Sequence, residues 1–103
     1  MQYQLVLRLP SDAFDDFDQI VTLETALVEG LGNLGMLENH DVGSDECRIV
    51  FLTPDPVRAF SESKAVLERE RLLDTVVALY RPVGTKEYAI LWPRNGDIAS
   101  ADA

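Results

Sequence analysis

The chain has one cysteine, one histidine and one tryptophan in 103 residues. Cys47 has no partner for an internal disulfide, which fits a reducing compartment and predicts a cytoplasmic location. One histidine and one cysteine are too few for an ordinary zinc site, which combines several such ligands. No apolar run approaches the roughly 18–20 residues that a membrane-spanning helix needs. The opening Met1-Gln2-Tyr3-Gln4 lacks the basic region and apolar core of a secretory signal, so none is expected. Basic residues are scarce too. Nine Lys and Arg stand against 18 Asp and Glu, leaving a net charge of −9. With a sequence pI ≈ 4.3, the sign is wrong for neutralising phosphates. Neither a nucleic acid nor an anionic membrane surface is an expected partner, and no cofactor is expected.

What is present is ordinary globular composition, 47% hydrophobic and 26% charged, which argues against disorder. The length allows one core. Residues 1–93 are expected to form a single domain and 94–103 a flexible tail. In residues 3–9, Tyr3, Leu5, Leu7 and Leu9 alternate with Gln4, Val6 and Arg8, the period of a strand. Pro10 ends it. Ser11 or Asp12 is the expected cap of a helix over about 13–31, whose apolar side collects Phe17, Ile20, Val21, Leu27, Val28 and Leu31. Gly32 is its expected C-terminal stop. Two strands follow, about 35–41 and 46–53, joined by Gly43-Ser44-Asp45 as an antiparallel hairpin. Asp55 caps a second helix with Pro56 at its first position. This helix is expected to end near Glu70 or Arg71, with Val57, Phe60, Lys64 and Leu67 on one face. Strands over about 75–81 and 87–93 complete the chain. The expected fold is α+β, a ferredoxin-like βαββαβ two-layer sandwich with an extra C-terminal strand.

One sheet face of such a sandwich packs on helices and the other meets water. Val50 and Leu52, Val77 and Leu79, and the run Tyr88 to Trp92 put apolar residues on both faces, with Ile90 and Trp92 on one face and Ala89 and Leu91 on the other. A face this apolar usually marks an interface, so a homodimer through the open face or the fifth strand is expected. The alternative is a monomer covered by its own tail or loops. Charge is also uneven. Residues 1–47 carry ten acids and one base, Arg8, whereas 48–103 carry eight of each sign. An acidic patch steers a basic protein partner; simple solubility is the plainer explanation.

The candidate binding site gathers Glu24, Asn39, His40, Asp41 and Ser44. His40 sits among carboxylates on a hairpin, where rigid scaffolds often display functional side chains. His40, Asp41 and Ser44 supply the residue types of a hydrolytic triad, but neighbours on a strand face opposite ways. A polar hairpin with Asx-type turns is the plainer alternative. Glu24 falls inside the apolar arc of the first helix, where a carboxylate must find a partner or be neutralised. It is read either as a pocket acid near His40 or as a structural contact. Cys47, on the apolar face of its strand, is read as a small buried hydrophobe.

The segments Asn39-His40-Asp41-Val42-Gly43-Ser44 and Glu87-Tyr88-Ala89-Ile90-Leu91-Trp92-Pro93, with the helix start Thr53-Pro54-Asp55-Pro56, resemble an uncharacterised group of small bacterial proteins. That group shares a His-Asp-x-Gly-Ser hairpin. Glycine often precedes the histidine there, where this chain has Asn39. The resemblance spans about residues 3–93 and implies no catalytic role. The expected function is a non-enzymatic, cytoplasmic, acidic domain that binds a protein or small ligand as a homodimer. The alternative is a small enzyme or metal-dependent catalyst using His40 and Asp41 with Glu24.

Overall fold

A computed structural model describes residues 1–93; the expected flexible tail, 94–103, lies outside the described residues. Along the chain run β1 (Tyr3–Pro10), α1 (Phe17–Leu31), β2 (Met36–Val42), β3 (Glu46–Thr53), α2 (Pro56–Arg69), β4 (Val77–Pro82) and β5 (Ala89–Trp92). Short 3-10 turns occupy Ser11–Ala13 and Gly32–Leu34. The fold is α+β: two helices and one sheet in the order β2-β3-β1-β4-β5, with every pairing antiparallel. None of the described helices is long and apolar enough to cross a membrane.

The period-two pattern of β1 sets the two faces. Leu5, Leu7 and Leu9 face the helices, opposite Phe51, Ile49 and Cys47 of β3, and all six are buried. Ile20, Leu23, Leu27 and Leu31 of α1 and Ala59, Phe60, Val66 and Leu67 of α2 close the same core.

The first helix starts later than its sequence suggests. Ser11 and Asp12 form a separate turn, and Asp16 caps α1 by accepting from the Gln19 amide at 3.0 Å. Gln19 Oε1 in turn accepts the Asp15 amide at 2.8 Å, a close variant of the capping box. Ser11 instead ties the end of β1 to the β2–β3 turn, its hydroxyl donating to the Gly43 carbonyl at 2.8 Å. At the other end Gly32 adopts φ 54, the left-handed backbone that favours glycine after a helix. The start of α2 is as expected: Asp55 accepts from the Arg58 amide at 3.1 Å, with Pro56 at the first position. Val57 is 60% exposed, however, and the buried face runs through Ala59, Phe60, Ser63, Val66 and Leu67.

The opposite sheet face is read from the register. One row crosses it as Asn39–Val50–Val6–Leu79–Ile90. Val6 is only 4% exposed, Val50 and Leu79 are half-buried, and Ile90 is 43% exposed. The row on one side is Leu52–Gln4–Arg81; on the other it is Asp41–Arg48–Arg8–Val77. Polar side chains join each other at both ends. Gln4 donates to Glu38 at 2.8 Å and accepts from Arg81 at 2.7 Å, while Arg81 lies over the Tyr88 ring. Arg8 and Arg48 both donate to Glu46. The face is therefore neither wholly apolar nor wholly hydrophilic.

Irregularities in both edge strands shift the register, and one of them overturns the expectation that Ile90 and Trp92 share a face. The β4–β5 register shifts so that Leu79 pairs with Ile90 but Ala78 with Trp92. Ile90 is thus on the open face, whereas Trp92 turns to the helix side. Its indole donates to the Leu73 carbonyl at 2.9 Å, and the Lys64 ammonium lies 4.5 Å from its ring centroid. In β2 the shift falls at Glu38, which adds one residue between Leu37 and Asn39, the pattern of a β-bulge.

Candidate functional site

Helix α1 presents two adjacent stripes. Ile20, Leu23, Leu27 and Leu31 are buried, while Phe17, Val21 and Val28 are 41–50% exposed. At about 100° per residue, Glu24 falls on the boundary between them. The sequence arc merged these stripes, because a helix beside an edge strand cannot bury so wide an apolar surface. Glu24 itself is 6% exposed.

Glu24 meets His40, whose Nδ1 lies 2.7 Å from Glu24 Oε2. No hydrogen bond of standard geometry reaches that oxygen. The contact is therefore an ion pair that exists when the ring is protonated. Phe17 stands edge-on to the imidazole, with ring centroids 5.8 Å apart. His40 reaches this place because it opposes buried Ile49 across the β2–β3 ladder and so points to the helix side.

The other sequence-derived candidates do not join the pair. Asn39 opposes Val50 and Asp41 opposes Arg48, which puts both on the open sheet face. Ser44 is exposed in the turn beyond β2. His40, Asp41 and Ser44 thus form no triad. Cys47 is wholly buried, and burial first, then the charges of Glu24, Asp41 and Glu46, push its thiol pKa up. A thiol held in its neutral form is a poor nucleophile. Among the described residues, no group of three His, Cys, Asp or Glu side chains is placed to hold a metal ion.

The acids are more telling as a surface. Residues 11–45 contain nine Asp and Glu and no Lys or Arg. Asp12, Asp15, Asp16, Asp18 and Glu29 are exposed on the loop before α1 and on α1, the segment that also exposes Phe17, Val21 and Val28, whereas Glu24 is buried and Glu38 and Asp41 belong to the open sheet face. A groove of about 470 Å³ opens beside this region. It combines exposed Asp16, Asp18 and Glu70 with buried Leu23 and Leu72. Neither Glu24 nor His40 lines it. Sequence reading missed Glu70 and Leu72, which reach the groove from a distant part of the chain. Glu46 belongs to the other side of the sheet. The Arg8 guanidinium, helped by Arg48, holds its carboxyl below the usual value of 4.5 against the opposing effect of burial. No known protein-family profile matches the sequence, and no curated protein matches it.

Proposed function

We propose that the chain is a non-enzymatic, cytoplasmic binding domain of the ferredoxin-like type, working as a homodimer that receives a basic protein or a small cationic ligand. The chain order βαββαβ and the run β2-β3-β1-β4 within the sheet support the ferredoxin-like assignment. The hairpin His40-Asp41-Val42-Gly43-Ser44 supports grouping it with the small bacterial proteins that share this pattern. The carrying observation is the run of exposed acids without a base from Asp12 to Glu29, on the loop before α1 and on α1, with Phe17, Val21 and Val28 exposed in the same segment. Acids of one sign attract and orient a basic partner, while apolar side chains at the centre supply area to bury. The same sign disfavours nucleic acids and anionic membranes.

The test is titration with a fluorescent peptide of alternating Lys and Leu, followed by anisotropy. Saturable binding that weakens at least tenfold between about 50 and about 300 mM salt is expected. Asp18→Asn and Val21→Ser should each weaken it further. Binding that ignores both substitutions would contradict the reading.

A small enzyme is the second reading, favoured by one observation: a nearly buried carboxylate touching the only histidine. Such pairs occur in active sites as well as in structural contacts. Glu24→Gln and His40→Gln would then abolish an activity while leaving peptide binding intact.

A further inference from the structure

We propose that a second copy of this chain packs on the open sheet face, across the row Val50–Val6–Leu79–Ile90, because that face is electrically neutral in a strongly acidic molecule. The inference rests on the homodimer reading above and names its surface. Within residues 1–93 there are sixteen acids and eight bases. The strand positions of the open face carry three of each: Arg8, Arg48 and Arg81 with Glu38, Asp41 and Glu46. The rest of these residues therefore hold thirteen acids, of which Glu24 is buried, and only five bases. A two-fold contact brings identical patches together. Patches of one charge sign repel, and a neutral patch does not.

Most of its charges are also matched in place. Glu46 sits between Arg8 and Arg48, and Gln4 links Glu38 to Arg81. Such pairs enter a contact rim without leaving an ion unpartnered. Between them lie Val50, Val6, Leu79 and Ile90. Five strands about 4.8 Å apart and about 20 Å long span roughly 480 Å² in projection, so a specific contact, which buries on the order of 600–800 Å² per partner, takes in the loops at the strand ends as well.

The rival surface is the exposed stripe Phe17, Val21 and Val28, which is at least as apolar. It lies on an element with no base at all, beside β2, which likewise has none. Self-contact there would set Asp18, Glu29 and their copies against one another. The two apolar surfaces are thus divided by charge, one suited to a copy and the other to a basic partner.

Sedimentation equilibrium on the full chain tests this, with circular dichroism confirming the fold of each variant. The wild type should dimerise with an affinity that changes less than about threefold between about 50 and about 500 mM salt. Arg81→Glu and Ile90→Asp should each weaken the dimer at least tenfold, and Val21→Ser should not. If Val21→Ser weakens a dimer that Arg81→Glu and Ile90→Asp leave intact, the sheet-face inference is overturned and the homodimer reading stands. A monomer at all concentrations overturns both. Should Arg81→Glu fail to fold, Val50→Thr replaces it with nearly the same shape.

Discussion

At the scale of residues, the sharpest feature is a carboxylate the core would rather not hold. Glu24 is nearly buried, and its Oε2 has only the His40 ring beside it. Removing one partner of such a pair costs more than the pair contributes, because the other charge is stranded. His40→Ala is therefore expected to destabilise the fold by about 1–2 kcal/mol, the lower range because the ring is partly exposed. Glu24→Leu is expected to be nearly neutral or stabilising. Urea unfolding of both variants checks this, and equal losses would contradict it. Glu46 gives a pH dependence. Its carboxyl is held below 4.5 by Arg8 and Arg48, so its stabilising effect is present above that value and is lost as pH falls through the folded-state value. Glu46→Gln should flatten the acid limb of the stability curve below about pH 4.5, its loss of stability showing at neutral pH and fading as pH falls. Cys47, buried and with its thiol pushed up, should react with a disulfide reagent only as fast as the chain opens. Rapid labelling of the native protein would show that the β3 core is not closed.

At the scale of elements, much of the fold can be read from local chemistry. Alternation in β1 and β3, Gly32 after α1 and the Asp55-Pro56 start of α2 each have one physical reading, and each occurs where its residues stand. The start of α1 departs from the expected Ser11 or Asp12 cap because Asp16 can cap as well. Gln19, three residues beyond Asp16, settles the choice. Asp16→Ala should accordingly cost about 1 kcal/mol of stability in thermal or urea unfolding, and Asp12→Ala almost nothing. The bulge at Glu38 and the register shift before Trp92 are not visible in the sequence, since an extra residue is defined only by the strand opposite. This is why Ile90 and Trp92, two apart, face opposite ways. The candidate site was half legible for the same kind of reason. Glu24 stood out inside an apolar arc, but its meeting with His40 depends on which side of β2 packs under α1. Asn39 and Asp41, its chain neighbours, are sent to the other face by the strand period.

At the scale of the whole molecule, the chain divides its charge. The loop before α1 and α1 itself expose acids and no base, while Glu38, Asp41 and Glu46 balance Arg8, Arg48 and Arg81 on the open sheet face. Burial alone would not assign the two exposed apolar surfaces to different occupants, since both keep large side chains at the surface. Charge does, because it decides which surface tolerates its own copy and which attracts a base-rich one. The most direct measurement is amide chemical-shift mapping by nuclear magnetic resonance, first on dilution and then on adding the Lys-Leu peptide. Dilution should move Val6, Val50, Leu79 and Ile90 and spare α1. The peptide should move Asp18, Val21 and Val28 and spare the sheet row. A single shared set of shifting residues, or dilution shifts centred on α1, would contradict the division of the surface by charge.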